Sequence, residues 1–176
     1  ADIAANHDGD FQKAKDLIFL AAEAGAQAVK FQHFLADKIV SDYGFKDLKE
    51  QKSHQENWKK TIFEIYEDAS LPRFWTQELQ DISSQVGVHF FSAPYDLEAI
   101  DLLDNIDVPA HKIGSGDITW IGIIEKIAAS KKPVFIATGA SDLNDVSRAM
   151  EVLHKANVPV CLMQCNTNYT GDLENF

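Results

Sequence analysis

Short apolar runs alternate with segments of helical periodicity along almost the whole chain. A strand-like run followed by a helical pattern recurs about five times, and a sixth strand-like run follows the last helix. Two parallel strands must be joined by a crossover connection, usually a helix. The alternation therefore predicts an α/β protein with a parallel sheet.

The boundaries of these elements follow from periodicity and from turn residues. Helices are predicted at 11–24, 75–86, 97–104, 121–129 and 143–156, and strands at 28–32, 89–94, 110–114, 133–138 and 159–165. Gly25 should end the first helix, and Pro94 should end the strand at 89–94. Ser141 should be the N-cap of the last helix. Residues 33–70 read as a long irregular connection with one helical turn around TIFEIYED.

Two architectures fit this order, an open doubly wound sheet and a (β/α)₈ TIM barrel. No Gly-x-Gly-x-x-Gly follows the first strand, which argues against a dinucleotide-binding sheet. Polar residues recur instead at the carboxyl ends of nearly all the strands, where barrel enzymes carry their active sites. They are Asn6, His7, Lys30, Gln32, Ser92, Lys112, Ser115, Asp117, Thr138 and residues 166–169. The sequence therefore favours the barrel.

A complete barrel has eight strands, and this sequence offers about six. The chain also begins within a strand pattern. We therefore expect residues 1–176 to be a partial barrel domain that is truncated at both ends, with two sheet edges left open.

Composition and charge limit the partners and the compartment. The apolar content of 45% is typical of a globular protein, and no apolar run of about 18 residues is present to span a membrane. A net charge of −11 repels nucleic acid and anionic lipid, so neither is expected as a partner, although a small anion can still bind where the local field differs. Cys161 and Cys165 lie about 13 Å apart along one strand, too far for a disulfide. Free thiols and the lack of a secretory leader predict a cytoplasmic protein.

Two lysines lie inside predicted strands. Because side chains alternate along a strand, Lys30 and Lys112 should point away from their large apolar neighbours and into the barrel. A buried cation requires a partner. Two interpretations remain open: the lysines pair with carboxylates such as Asp2 or Asp117, or they bind an anion, most simply a phosphate. A desolvated lysine could also form a Schiff base.

The glycines after Lys112 allow two interpretations as well. Gly114 and Gly116 let the backbone approach a ligand or adopt a positive φ, and amides near Ser115 could then donate to an anion. The same stretch also fits an ordinary turn between a strand and a helix.

The histidines give little sign of a metal site. No second histidine stands at ligand spacing from His7, so that residue is not predicted to bind a metal. Asp8 and Gly9 next to it are predicted to form a turn. His89 and His111 are expected at contacts between strands and helices.

Six motifs, in order, resemble those of the sialic acid synthase family, the phosphoenolpyruvate-dependent synthases of nonulosonic acids. They read DIAANHDG (2–9), GAQAVKFQ (25–32), SAPYD (92–96), VPAHKIGSGD (108–117), KPVFIATGAS (132–141) and QCNTNYT (164–170). The family motif Ser-Thr-Pro-Phe-Asp corresponds to 92–96, and Val-Pro-Ala-x-Lys-Ile-x-Ser-Gly-Glu corresponds to 108–117. The resemblance covers essentially all 176 residues.

The resemblance implies a fold and a reaction. The fold is a barrel followed by a small antifreeze-like domain, which this chain lacks. In the reaction, the methylene carbon of phosphoenolpyruvate attacks the aldehyde of an open-chain N-acylated amino sugar such as N-acetylmannosamine. Water then adds at the enol-ether carbon, and phosphate leaves by C–O cleavage. A divalent metal, Mn²⁺ or Mg²⁺, would polarise the aldehyde.

The resemblance also implies where partners and ligands bind. The two metal-binding histidines are expected beyond residue 176, so no metal ligand is assigned within the chain, and the full-length protein is expected to be a homodimer that acts on small molecules. Asp117 and Asp2 would be catalytic, with Asp117 relaying protons or orienting water. Phosphoenolpyruvate would contact Lys30, Lys112, Ser115, Thr138 and Thr167. The sugar would contact Gln32, Asn57 and Tyr169.

The chain departs from the family within this site. Asp2 and Asp117 stand where the family has glutamate, and a displacement of about 1 Å can cost about 100-fold in rate. Ala93 and Ala137 lack hydroxyl groups, and Gln164 replaces a histidine. These differences suggest another sugar or a weakened enzyme. A Schiff-base aldolase on a similar barrel and a non-catalytic binder of sugar acids remain as alternatives.

Overall fold

A computed structural model describes residues 1–47 and 60–167. The chain divides into two compact units, Ala1–Phe90 and Phe91–Phe176. In the described part, six strands form one sheet in chain order, and the strand pairs are parallel. The predicted alternation of strands and helices is therefore confirmed.

In residues 1–47 and 60–90, the first unit contains two strands, the start of a third, and the helices that follow them. Its elements are β1 (Asp2–Ala4), α1 (Phe11–Glu23), β2 (Ala28–His33), α2 (Ala36–Ile39), α3 (Asp42–Asp47), α4 (Ile62–Ala69), a 3₁₀ helix (Arg73–Trp75), α5 (Thr76–Gln85) and the first residues of β3 (His89–Pro94).

Local chemistry explains how α1 begins and ends. The Asp10 side chain caps it by accepting hydrogen bonds from the amides of Gln12 and Lys13. Gly25 follows the helix with φ +84°, a conformation that side chains disfavour, so the helix stops where predicted. The core of this unit includes the stacked rings of Phe31 and Phe90, whose centroids lie 5.4 Å apart.

Up to residue 167, the second unit completes β3 and adds three strands and three helices. These are α6 (Leu97–Asn105), β4 (His111–Ile113), α7 (Ile121–Ala129), β5 (Val134–Ala137), α8 (Leu143–Lys155) and β6 (Val160–Met163). Strand β4 lies between β3 and β5, and β5 pairs with β6. Isoleucines dominate the core, which includes Ile113, Ile123, Ile127 and Ile136.

The predicted alternation within the lysine-containing strands is confirmed. In β2, Val29 and Phe31 are buried while Lys30 between them is only half-buried. In β4, His111 and Ile113 are buried and Lys112 is half-buried. Each lysine thus lies on the face opposite the large apolar side chains of its own strand.

The connection between residues 33 and 70 is more regular than predicted. Its described part contains α2, α3 and α4. Helix α4 is stabilised by a capping box, in which the side chains of Thr61 and Glu64 bond each other's backbone amides. The helical turn predicted around TIFEIYED is confirmed as α4. For the rest of the described part, the prediction of an irregular segment was wrong, because α2 and α3, with four and six residues, are too short to show several turns of periodicity.

Two predictions about single residues are also wrong. The N-cap of α8 is Asp142, whose carboxylate accepts from the amides of Asn144 and Asp145, whereas the Ser141 hydroxyl is buried without a partner. His89 is exposed at the start of β3. His111 is at a strand–helix contact as predicted, with Nε2 2.9 Å from Oδ1 of Asp104 on α6.

Both cysteines are free thiols, as predicted. Of the helices within 1–47 and 60–167, none combines the length and the hydropathy needed to cross a membrane.

Candidate active site

In the first unit, Asp2 and Lys30 form an ion pair. Their Cα atoms are partners in the β1–β2 ladder, and Nζ of Lys30 lies 2.8 Å from Oδ1 of Asp2. The Lys30 side chain is 14% exposed and that of Asp2 is 62% exposed. The pairing interpretation of Lys30 is thus realised, and the carboxylate offsets the cost of a nearly buried ammonium group.

The turn after β1 is built from Asn6, His7 and Gly9. The Asn6 amide donates to the carbonyl of Ile3, and the backbone N–H of Gly9 donates to Nδ1 of His7 at 3.1 Å. The His7 ring is fully buried against the edge of Trp75. Burial lowers the pKa of His7, so the ring is neutral and its Nδ1 is already engaged.

The sugar contacts expected from the resemblance are placed only in part. Gln32 is half-buried on the same face of β2 as Lys30. Asn57 and Tyr169 lie outside the described residues.

In the second unit, the turn after β4 brings Lys112, Ser115 and Asp117 together in sequence. Lys112 is half-buried, and its Nζ donates to the carbonyl of Ile113 at 2.7 Å. The Asp117 amide donates to the Gly114 carbonyl at 3.1 Å, and the Asp117 carbonyl accepts from the Trp120 amide at 2.9 Å. These bonds fix the backbone on both sides of the Asp117 carboxylate.

Gly114 makes room for that carboxylate. A β carbon at residue 114 would lie 2.8 Å from Oδ2 of Asp117 and 3.5 Å from the Tyr95 hydroxyl oxygen. Neither Gly114 nor Gly116 has a positive φ, so that alternative is wrong. The close approach at Gly114 is to a side chain of the turn itself.

Asp117 titrates near neutral pH. Burial raises the pKa of its carboxyl to about 6, and the charge of Lys112 opposes this rise only in part. A carboxyl group with a pKa near the working pH can both accept and return a proton.

The Ser115 hydroxyl is oriented by the backbone of the neighbouring strand. The amide of Gly139, which follows β5, donates to Oγ of Ser115 at 3.2 Å. Since that bond uses a lone pair, the hydroxyl hydrogen can still be donated to an anion. A β carbon at residue 139 would lie 2.6 Å from the Cys165 carbonyl oxygen, so only glycine allows this approach.

The two threonines that were assigned to phosphoenolpyruvate lie near Gly139. Thr138 is bonded to Met163, whose carbonyl accepts from both the amide and the hydroxyl of Thr138. Thr167 is exposed, with its methyl carbon 3.1 Å from the position that a β carbon of Gly139 would take. To donate to a phosphate, the Thr138 hydroxyl would have to leave its present bond.

The described residues do not fit a metal ion. No group of three or more histidine, cysteine, aspartate or glutamate side chains within 1–47 and 60–167 could hold one.

Two features of this site escaped sequence reasoning. One is the Gly139 amide that orients Ser115, and the other is the Tyr95 hydroxyl close to the Asp117 carboxylate. Tyr95 directly follows a predicted strand, so its position could have marked it as a candidate site residue. Its proximity to Asp117 was not predictable in the same way, because it depends on how β3 and β4 pair.

Similar proteins share the sequence and the fold. The NeuB family profile matches residues 17–176. The N,N'-diacetyllegionaminic acid synthase of Campylobacter jejuni is 32% identical over 172 residues, which are 96% of this chain and 51% of that protein. The human N-acetylneuraminate-9-phosphate synthase is 29% identical over 169 residues, which are 96% of this chain and 46% of that protein. The chain thus spans about half the length of these curated relatives.

A solved structure gives the same result. The crystal structure of the N-acetylneuraminic acid (sialic acid) synthetase from Leptospira borgpetersenii, in complex with citrate, has a TM-score of 0.84 at 26% identity. The matched region covers 99% of this chain and 56% of the Leptospira chain. This likeness confirms the (β/α)₈ barrel fold class. The chain belongs to the NeuB family.

Proposed function

We propose that the full-length protein condenses phosphoenolpyruvate with an N-acylated amino sugar to give a sialic-acid-like nonulosonic acid and inorganic phosphate. The relatives named above make different nonulosonic acids or their phosphates, so the proposal names a class of sugar and not one compound. Such products belong to the biosynthesis of surface carbohydrates.

The observation that supports this proposal is the turn after β4. It presents an ammonium group on Lys112, an oriented hydroxyl on Ser115 and a carboxyl with a pKa of about 6 on Asp117, within six residues of sequence. An ammonium and a hydroxyl are donors suited to the phosphate and carboxylate oxygens of phosphoenolpyruvate. A titrating carboxyl is suited to moving a proton of the water.

In the proposed reaction, one C–C bond forms and one C–O bond breaks. The methylene carbon of phosphoenolpyruvate forms a bond to the aldehyde carbon, and the aldehyde oxygen takes a proton to become a hydroxyl. Water then adds to the carbon that carries the phosphate ester. Asp117 accepts one proton from this water, which balances the proton taken up by the aldehyde oxygen. The bond from carbon to the bridging oxygen then breaks, phosphate leaves with that oxygen and with the second proton of the water, and the ketone remains on the sugar acid.

The other assignments are part of the same proposal. Lys30, Thr138 and Thr167 contribute to phosphoenolpyruvate binding, and Gln32, Asn57 and Tyr169 contact the sugar. Asp2 acts beside Lys30, to which it is bonded at 2.8 Å. This ion pair limits the charge that Lys30 offers to a phosphate.

The wider setting is proposed on the resemblance alone. Residues 1–176 are taken as one partial barrel domain of a cytoplasmic homodimer that acts on small molecules and not on nucleic acid or membranes. A requirement for Mn²⁺ or Mg²⁺ stays a prediction, with its ligands outside this chain.

The test is a phosphate-release assay on the full-length protein. Phosphoenolpyruvate and a panel of N-acyl hexosamines are supplied with Mn²⁺ or Mg²⁺, and phosphate should appear only when both substrates are present. With the bridging oxygen labelled by ¹⁸O, the label should leave in the phosphate. If no phosphate is released with any sugar of the panel, the proposal is rejected. Tight binding of a sugar acid without turnover would favour the non-catalytic binder.

Two lysine variants sharpen this test. Lys112→Met should weaken phosphoenolpyruvate binding at least about tenfold, since it removes a charged donor. Lys126→Met is the matched control, because Lys126 pairs with Asp101 at the surface of α7. Borohydride trapping with pyruvate that adds mass to Lys30 or Lys112 would instead identify the Schiff-base aldolase.

A further inference from the structure

The Tyr95 hydroxyl and the Asp117 carboxylate approach the same point from different strands. Tyr95 directly follows β3, and Asp117 lies in the turn after β4. Seen from the position of a β carbon on Gly114, Oδ2 of Asp117 is 2.8 Å away and the hydroxyl oxygen of Tyr95 is 3.5 Å away. Both side chains are half-buried. A glycine at residue 114 thus opens a small space that these two groups share.

The backbone on both sides of this space is fixed. Pro94 is buried before Tyr95, and Asp96 after it is the buried N-cap of α6, whose Oδ1 accepts from the Ala99 amide at 2.8 Å. Asp117 is fixed by its bonds to Gly114 and Trp120. Both backbones are thus held in place beside the space at Gly114.

The chemistry of the two groups is complementary. A phenol is a hydrogen-bond donor at neutral pH, and an ionised carboxylate is an acceptor. The motifs quoted above have phenylalanine and glutamate at the positions of Tyr95 and Asp117. Relative to those family motifs, this chain has an additional hydroxyl oxygen at Tyr95 and lacks one methylene at Asp117. The two residues are distant in sequence and lie beside the same glycine.

We propose that Tyr95 is a positioning residue for Asp117, with its hydroxyl orienting the shortened carboxylate toward the substrates. The part of this inference that concerns turnover rests on the proposed function. The proximity of the two groups does not, since both lie beside Gly114 in the unliganded protein.

The first experiment measures the contact without any turnover. The carboxyl carbon of Asp117 is titrated by ¹³C NMR in the full-length protein with labelled aspartate, and its signal is assigned by its loss in Asp117→Asn. A hydroxyl that orients the ionised carboxylate donates to it, so on this proposal Tyr95→Phe should raise the pKa of Asp117 by about one unit. An unchanged pKa overturns the proposal. Tyr43→Phe is the matched control, since Tyr43 is 78% exposed.

The second experiment is a double-mutant cycle on the rate of phosphate release. Tyr95→Phe should lower kcat about tenfold when residue 117 is aspartate, and less than about twofold in Asp117→Glu, whose longer side chain needs no such help. Equal effects in both backgrounds would contradict compensation. Circular dichroism spectra confirm that each variant is folded before its rate is interpreted.

The two experiments separate the two proposals. If the parent protein releases no phosphate, the proposed function fails, while the titration still decides whether Tyr95 acts on Asp117. If phosphate is released and the titration shows no change, only the role of Tyr95 is rejected.

Discussion

Asp117 is subject to two opposing influences. Burial raises the pKa of its carboxyl to about 6, and the nearby charge of Lys112 lowers it. The unfolded chain ionises this group near pH 3.9. Between these values the folded protein binds a proton that the unfolded chain releases, so stability falls as the pH rises from about 4 to about 6. At neutral pH the ionised carboxylate therefore destabilises the fold.

The substitution Asp117→Asn should separate stability from activity. At pH 7 we expect the free energy of unfolding to rise by about 1 kcal/mol, a value discounted for the partial exposure of the side chain. We expect kcat to fall by about 100-fold or more, because the group that moves a proton is lost. Urea unfolding and the phosphate-release assay measure the two effects.

The pH dependence supplies the control for this prediction. The stability gain should disappear near pH 4, where Asp117 is protonated in the folded protein. The activity of the parent protein should fall as the pH drops through about 6, because protonated Asp117 can no longer act as a base. Asp101→Asn, at a surface ion pair on α6, should show neither effect. Activity that increases at acidic pH would contradict the assignment of Asp117 as the base.

At the scale of single residues, the sequence predicts the strand face on which a side chain lies better than it predicts contacts between distant residues. The half-buried lysines follow from strand alternation, which is local. The proximity of Tyr95 to Asp117 and the Gly139 bond to Ser115 do not, because each joins segments about 22 to 24 residues apart. Gly114 was recognised as a special position, but the reason is the volume of the Asp117 side chain and not its own φ.

The N-terminus of α8 illustrates what decides a helix boundary. Ser141 and Asp142 are neighbours, and both residue types cap helices well. Asp142 has the extended backbone of an N-cap, and Asp145 bonds back to its amide to complete a capping box. An acidic group at this end also interacts favourably with the helix dipole.

Two alanine substitutions distinguish these caps. Asp142→Ala should lower the free energy of unfolding by about 1 kcal/mol, because two helix amides lose their acceptor. Ser141→Ala should leave stability unchanged or raise it slightly, since it removes a buried hydroxyl that has no partner. Thermal unfolding of both variants measures the difference. An equal loss in the two would contradict the assignment of Asp142.

Element boundaries were predictable where periodicity extends over several turns. Helix α7 was predicted at 121–129 and lies at Ile121–Ala129, and the predicted ends of α1, α5, α6 and α8 differ by one residue at most. Helices α2 and α3 have only four and six residues, so their patterns could not be told from a loop. Their positions depend on packing, which a single sequence does not display.

Across the whole molecule, buried histidines link stability to acidity. Burial lowers the pKa of His7 and His111, and lowers that of His33 to about 3. Below pH 6.5 the unfolded chain takes up protons at these sites, while the folded protein takes them up only at lower pH. Stability therefore decreases as the pH falls, and the decrease from His33 continues until its folded pKa is reached. Asp117 acts in the opposite direction over part of this range.

Removing one of these histidines should make the free energy of unfolding decrease less steeply as the pH falls. Between pH 7 and pH 5, His33 alone should account for a loss of about 2 kcal/mol in the parent protein. His33→Gln keeps a group that can bond Thr76 but cannot be protonated. Urea unfolding at several pH values should show a smaller decrease in this variant. His89→Gln, at an exposed residue, is the control, and parallel curves for all three proteins would contradict the prediction.

The alternation in β2 and β4 also restricts how these strands can change over time. A substitution replaces one group, but an insertion or deletion of one residue would exchange the two faces of the strand after that point. In β2 that exchange would carry Lys30 to the face of Phe31, and in β4 it would carry Lys112 to the face of Ile113. A change of two residues would restore the faces but would shift the following turn by about 7 Å. Divergence at this site is therefore confined to exchanges of side chains at constant strand length.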